Sequence, residues 1–291
     1  MLKGIILAGG TGSRLNPITN VISKQLINVY DKPLIYYPIS TLMLSGIKNI
    51  LIITNKSSQS QFKNFLGDGS NWGITLKYAI QDKPAGLPQA FIIAKKFIKN
   101  DKVCLILGDN ILYGSDIGSF LKKAFDDKEG ATIFTYSVNN PEEFGVVEFK
   151  NKKIISIKEK PKKTKSNNVI IGIYFFDKNV SRYAKKLKPS KRGELEITDL
   201  IRKYQNLDKL RFIELGRGFT WMDVGNFNSV LTASNHIANI EKIQDYKIGC
   251  PEEIAFRNKW INKQQLLKLS KNMKNSTYGK YLKKISKIII E

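Results

Sequence analysis

"GIILAGGTGSRL", residues 4–15, sets a short apolar run against a loop with glycine at 9, 10 and 12 and an arginine at 14. The run from Gly4 to Ala8 reads as a buried strand, and glycines directly after a strand let backbone N–H groups approach a phosphate. Two familiar phosphate-binding templates fail here. A dinucleotide fingerprint begun at Gly10 meets Gly12 but needs a third glycine where Leu15 stands. A Walker A loop begun at Gly4 reaches Gly9 but then puts Gly10 where the gripping lysine belongs. A plain tight turn stays open beside a phosphate-holding loop.

Working outward, β-branched runs alternate with amphipathic ones. "NILIITN" (49–55), "ITLKYAIQ" (74–81), "KVCLILGD" (102–109) and "ATIFTYSV" (131–138) predict strands, and "QSQFKNFLG", "LPQAFIIAKKFI" and "IGSFLKKAF" carry helical spacing. From about residue 144 hairpin-like strands follow: "FGVVEF", "KIISIKEKP" and "VIIGIYFFD". Helical spacing returns at "VSRYAKKL", "EITDLIRKY" and "NSVLTASNHIANIEK". The pattern predicts an α/β, Rossmann-like three-layer sandwich with a mostly parallel central sheet, an additional small sheet and a C-terminal helical segment. Ligands in such folds sit beyond the carboxyl ends of the strands.

Composition narrows the chemistry. The 291 residues, 42% of them hydrophobic, support a sizeable core, and no run approaches a membrane span, so a cytoplasmic protein without membrane contact is expected. Cys104 and Cys250 lie far apart without metal-ligand spacing and read as reduced packing residues. One histidine, His236, argues against a histidine metal site or a Ser/His/Asp engine. A net charge of +23 invites a nucleic-acid reading, but lysine supplies all but seven of the 48 basic residues and is spread along the chain. Base readers favour a dense arginine patch, so no nucleic-acid partner is expected; the charge would still attract an anionic substrate.

Arg14 and Lys24 are cations that could neutralise a triphosphate beside the glycine loop, or simply solvated surface groups. Asp109 ends "VCLILGD" and Asp223 follows "GFTWM"; two strand-end carboxylates plus triphosphate oxygens suit Mg²⁺, although each alone could be a cap or turn residue. Glu159 and Lys160 in "EKP" could grip sugar hydroxyls and a phosphate, or form an ordinary turn.

The stretches "KGIILAGGTGSRLNPIT", "SKQLINVYDKPLIYYPISTLMLSGIKNILII", "LGDGSNWG", "LILGDNILYG", "FGVVEF", "EKP", "KPSKRGELEITD", "GRGFTWMDVG" and "CPEEIAFR" together resemble the glucose-1-phosphate thymidylyltransferases, a sugar nucleotidyltransferase family, from Lys3 to about Lys283. The resemblance implies transfer of a thymidylyl group from dTTP to glucose 1-phosphate with Mg²⁺, the same chemistry with UTP or another sugar 1-phosphate being the near alternative. It implies that Leu7, Gly9, Gly10, Thr11, Gly12, Ser13 and Arg14 wrap the nucleotide, with Lys24 and Gln25 continuing that site. Gln81 and Gly86 match base-reading positions, Asp109 and Asp223 match metal ligands, and Asn110, Gly145, Glu159, Lys160, Ile170 and Tyr174 match the glucose side. It further implies a catalytic region 1–239, its nucleotide part about 1–110 and its sugar part about 111–239. A helical segment 240–291 would serve as oligomer contact in a homotetramer, and feedback by a downstream dTDP-sugar is a family expectation. Asn16, Asn28, Ala85, Phe144, Ile171 and Val224 depart from the family pattern.

Overall fold

The computed structural model describes residues 2–124 and 129–288. The chain opens with β1 (Leu2–Ala8), a two-residue ladder of β2 (Asn28–Val29) and β3 (Lys32–Pro33), then β4 (Asn49–Thr54), β5 (Thr75–Ile80), β6 (Lys102–Leu107) and β7 (Asn110–Gly114). It continues with β8 (Ala131–Ser137), β9 (Gly145–Lys150), β10 (Lys153–Glu159), β11 (Asn168–Phe176), β12 (Leu210–Glu214) and β13 (Phe219–Asp223).

Nine strands form one sheet along β10-β9-β11-β6-β1-β4-β5, with β8 bridging β11 and β12. Strands β5, β4, β1 and β6 are parallel, while β11 runs antiparallel to β6, β8 and β9. Strand residues alternate between two apolar layers, as a sheet buried on both faces requires. Ile6, Ile52 and Ile106 pack with helices Tyr36–Leu44 and Pro251–Arg257, whereas Ile5, Leu51 and Leu105 pack with Phe91, Ile98 and Tyr204 from the opposite side. Each fully buried isoleucine contributes about 1.5–3 kcal/mol of transfer free energy.

The expected strands and helices are present within a residue or two, except that "LPQAFIIAKKFI" divides into helices Gln89–Ile93 and Lys95–Ile98 and that the helix of "VSRYAKKL" stops at Ala184; Phe125, the end of "IGSFLKKAF", lies outside the described residues. The C-terminal helices Lys263–Asn272 and Thr277–Ile285 bury Leu266, Leu282 and Ile285 in the same layer as Tyr36–Leu44. Residues 240–288 thus complete a face of the sandwich, and residue 239 lies inside helix Phe227–Gln244. Both cysteines are free and buried. Among the described residues no helix is long and apolar enough to cross a membrane.

Candidate active site

Strand β1 delivers the glycine loop to the carboxyl edge of the sheet. Gly12 takes φ +66°, a left-handed conformation open to glycine, and its carbonyl accepts from Thr19 Oγ1 at 3.0 Å. A Cβ there would lie 2.9 Å from Thr19 Cγ2 and 3.2 Å from Lys24 Cβ, so the loop is drawn tightly over the following segment. The N–H groups of Thr11, Gly12 and Ser13 find no acceptor among the described residues. Unpaired N–H groups at a strand end are the chemistry of an anion cradle.

A second, two-stranded ladder brings the carboxylates to the same edge. Asp109 stands between β6 and β7, and β13 runs antiparallel to β7 with Asp223 opposite Asn110. Val224 N donates to the Asp109 carbonyl at 2.9 Å. Asn110 locks the corner: Oδ1 accepts from Trp221 Nε1 at 2.7 Å and Gly172 N at 3.1 Å, and Nδ2 donates to Asp109 Oδ1 at 3.1 Å. Gly172 must be glycine, since a Cβ would meet Asn110 Oδ1 at 2.4 Å.

Lys24 is buried and donates to Asp109 Oδ2 at 2.6 Å. The Arg14 guanidinium lies along Gly225, where a Cβ would stand 3.1 Å from Nη2. Burial, then repulsion from Asp109, pushes the Asp223 carboxyl up to about 6, against the pull of Lys24 and Arg14. Among the described residues no cation lies within 4 Å of Asp223, and no cluster of three or more potential ligating side chains exists. Two neighbouring carboxylates, one held short of its ordinary acidity by burial and by the other, are a donor set that a divalent cation sharing phosphate oxygens would satisfy.

On the far side Glu159 ends β10 and accepts from Thr198 Oγ1 at 3.1 Å; burial, then the charge of Glu196, raises its pKa. Lys160 has a positive φ and donates its N–H to Phe144 O at 3.0 Å. Arg192 reaches Glu196 through Nη2 at 2.8 Å and Nε at 3.1 Å, and Ser190 donates to the same carboxylate at 2.6 Å.

These groups surround one cavity of about 770 Å³, lined by Leu7, Gly10 to Arg14, Lys24, Gln25, Gln81, Gly86, Asp109, Asn110, Gly145, Glu159, Lys160, Ile170, Tyr174 and Asp223. Of the residues expected at the site, Gly9 alone is not on the wall. It lies behind Gln81, where a Cβ would meet Oε1 at 2.4 Å. The wall also includes Glu143, Arg192, Glu196, Thr198 and Trp221, which residue-by-residue reading did not single out; the charged run "KRGELEIT" was the available signal. Ala85 serves through its backbone, its N–H donating to Gln89 at 3.0 Å and its carbonyl accepting from Leu195 at 2.8 Å, whereas the Phe144 ring packs edge-on against Trp221 with centroids 5.3 Å apart.

Comparison with known proteins identifies the family. The family model for nucleotidyl transferases matches residues 3–240. The chain belongs to that family. This nucleotidyl transferase is 51% identical over 98% of its length to the whole of a glucose-1-phosphate thymidylyltransferase from Neisseria meningitidis. It is 46% identical over 97% of its length to one from Mycobacterium tuberculosis, covering 98% of that relative. A Bacillus anthracis crystal structure assigned as a glucose-1-phosphate thymidylyltransferase, in complex with sucrose, superposes with TM-score 0.76 at 43% identity, covering 81% of this chain and 95% of its own. A UDP-glucose pyrophosphorylase complexed with UDP-glucose superposes with TM-score 0.70 at 25% identity, covering 82% of this chain and 99% of its own.

Proposed function

We propose that this enzyme transfers a thymidylyl group from dTTP to α-D-glucose 1-phosphate, giving dTDP-glucose and pyrophosphate. The observation that carries the reading is near-full-length identity of about half to thymidylyltransferases, in a chain whose glycine loop, paired aspartates and Glu159 face a single cavity.

The chemistry needs little acid–base help. A sugar phosphate loses its second proton with pKa about 6, so its oxygen is an anionic nucleophile at neutral pH. That oxygen attacks the α-phosphorus of dTTP in line, a new P–O bond forms, and the bond to the β-phosphate oxygen breaks with pyrophosphate as leaving group. The N–H groups of Thr11, Gly12 and Ser13 hold triphosphate oxygens, and Arg14 and Lys24 offset the charge growing on the leaving group. Asp109 and Asp223 are the residues that would hold Mg²⁺, which when bound withdraws charge from the phosphate oxygens. Gln81 and Gly86 read the base, while Glu159, Asn110, Gly145, Ile170, Tyr174 and Lys160 take the glucose and its phosphate.

Residues 1–239 form the catalytic region in this reading, split near 110 between nucleotide and sugar. Residues 240–291 supply a homotetramer contact, which light scattering in solution checks, and feedback by a downstream dTDP-sugar is checked by titrating one into the assay.

Initial rates of pyrophosphate release with dTTP, UTP, dCTP and dATP, each with glucose 1-phosphate, test the function. The expected result is preference for dTTP. A clear preference for UTP overturns the nucleotide assignment, and release from none of them overturns the reaction.

A further inference from the structure

The glycine loop presents its N–H groups to the cavity, and one peptide shows how they are held there. The Gly12 carbonyl accepts two hydrogen bonds, from Leu15 N at 2.8 Å and from Thr19 Oγ1 at 3.0 Å. Neither Leu15 nor Thr19 is on the cavity wall, whereas Gly12 and Ser13 both are. The Gly12–Ser13 peptide is trans and planar, so its carbonyl and the Ser13 N–H point in opposite directions. Fixing the oxygen toward Leu15 and Thr19 therefore turns the Ser13 N–H the other way, to the cavity, where it finds no acceptor among the described residues.

Thr19 has one hydroxyl hydrogen and two groups in reach, the Gly12 carbonyl and, at 2.8 Å, the Asn16 amide at Oδ1. The two ends of a side-chain amide exchange by a half-turn, and no other partner among the described residues fixes those of Asn16. With its NH₂ toward Thr19, Asn16 donates to the hydroxyl oxygen and the hydroxyl hydrogen goes to Gly12, so both bonds are made. With its oxygen there, the single hydrogen serves one acceptor and the other goes without.

We propose that Thr19 is a positioning residue for the triphosphate: by holding the Gly12 carbonyl it aims the Ser13 N–H at a phosphate oxygen, and Asn16 orients its hydroxyl. The inference rests on the reading of the glycine loop as the holder of a nucleoside triphosphate. Leu15 N alone is one anchor, about which the carbonyl can swing. The peptide turns as a unit, so any swing of the oxygen carries the N–H off the phosphate. A donor fixed before the ligand arrives loses no binding free energy to being ordered. Thr19 also packs on the loop, since a Cβ on Gly12 would lie 2.9 Å from Thr19 Cγ2. Asn16, one of the departures from the family pattern, thereby has a role, and both residues act through Gly12 from behind the wall.

Two substitutions separate the hydrogen bond from the packing. Thr19→Val keeps the shape and the methyl but has no hydrogen to donate, while Thr19→Ser keeps the hydroxyl and lacks the methyl. Each is titrated calorimetrically with inorganic triphosphate in Mg²⁺ and assayed with dTTP and glucose 1-phosphate. Thr19→Val is expected to raise the Kd for inorganic triphosphate and the KM for dTTP, each about fivefold, the worth of one hydrogen bond, while the KM for glucose 1-phosphate stays within about twofold. Thr19→Ser is expected to stay within about twofold of wild type on all three. Unchanged triphosphate affinity in Thr19→Val overturns the proposal, as does a Ser variant impaired as much as the Val one, the mark of a residue needed only for its methyl. A wild-type enzyme that binds no inorganic triphosphate overturns it as well. If wild type binds inorganic triphosphate but releases no pyrophosphate from dTTP, the proposed function falls, and the calorimetric comparison still decides the inference. If it turns over dTTP and Thr19→Val binds inorganic triphosphate as wild type does, the inference falls alone.

Discussion

Two regions of this molecule each assemble two cations and two carboxylates, and they do so to opposite ends. In the first, Lys32 and Lys247 sit among Asp31 and Glu241: Lys32 Nζ is 2.6 Å from Asp31 and 3.0 Å from Glu241, and Lys247 Nζ is 2.6 Å from Glu241 and also bonds Asp31. Ile248 N adds a hydrogen bond to Glu241 at 2.9 Å. In the second, Arg14 and Lys24 face Asp109 and Asp223, yet only the Lys24–Asp109 bond is made. The first cluster answers its own charges and needs no ligand. The second leaves a carboxylate, an arginine and a set of backbone N–H groups turned toward a cavity. Equal formal charge therefore says little, and closure of the ion pairs separates a structural ion cluster from a binding site.

The largest expected difference lies in turnover. Asp223→Asn should cut pyrophosphate release by roughly two to three orders of magnitude, measured at saturating dTTP and glucose 1-phosphate. The fold should not suffer, because a carboxyl whose folded pKa is raised to about 6 costs stability at neutral pH, a cost that shrinks as pH falls below that value and is gone below the ordinary 3.8. A melting temperature equal to or above wild type is the expected companion result, and unchanged turnover would remove Asp223 from the site.

Breaking the closed cluster should do the reverse. Lys32→Met leaves Asp31 and Glu241 sharing Lys247 alone, and is expected to lower unfolding stability by about 3–5 kcal/mol in urea while kcat at 25 °C stays near wild type. Smaller still is a pH effect. Burial pushes the Asp31 carboxyl up, but Lys32 and Lys247 outweigh it and hold it below its ordinary 3.8. Its contribution is therefore complete above about pH 4 and lost as pH falls below that value. Urea unfolding of wild type and Asp31→Asn at pH 7 and pH 3 should show the gap between them shrinking toward acid.

The two regions also differ in how far the sequence revealed them. The glycine loop was legible because an apolar run ending in three glycines has few readings, and Asp109 and Asp223 because each closes an apolar run. Lys24 was different. Among so many lysines nothing local marks it as buried, and its partner is 85 positions away. The same distance problem hid Arg192, Glu196 and Thr198, whose charged segment carries no periodicity and meets Glu159 only in the fold. The helix Tyr36–Leu44 escaped pattern reading because Tyr37 through Met43 are all buried, which leaves no polar stripe to show a period. The ladder of β7 with β13 was invisible for want of any local signal that distant strands would pair.

That ladder has a temporal consequence. Asn110 and Trp221, which lock the site corner, are 111 positions apart. At roughly 5–20 residues per second of synthesis, the glycine loop and the first carboxylate wait on the order of ten seconds or more for the second. Strands β1, β4 and β6 can pair in that interval, but the enzyme has no working site until the last long-range contact closes. Recovery of turnover after dilution from denaturant therefore clocks the final step of assembly, while burial of the early strands runs ahead of it.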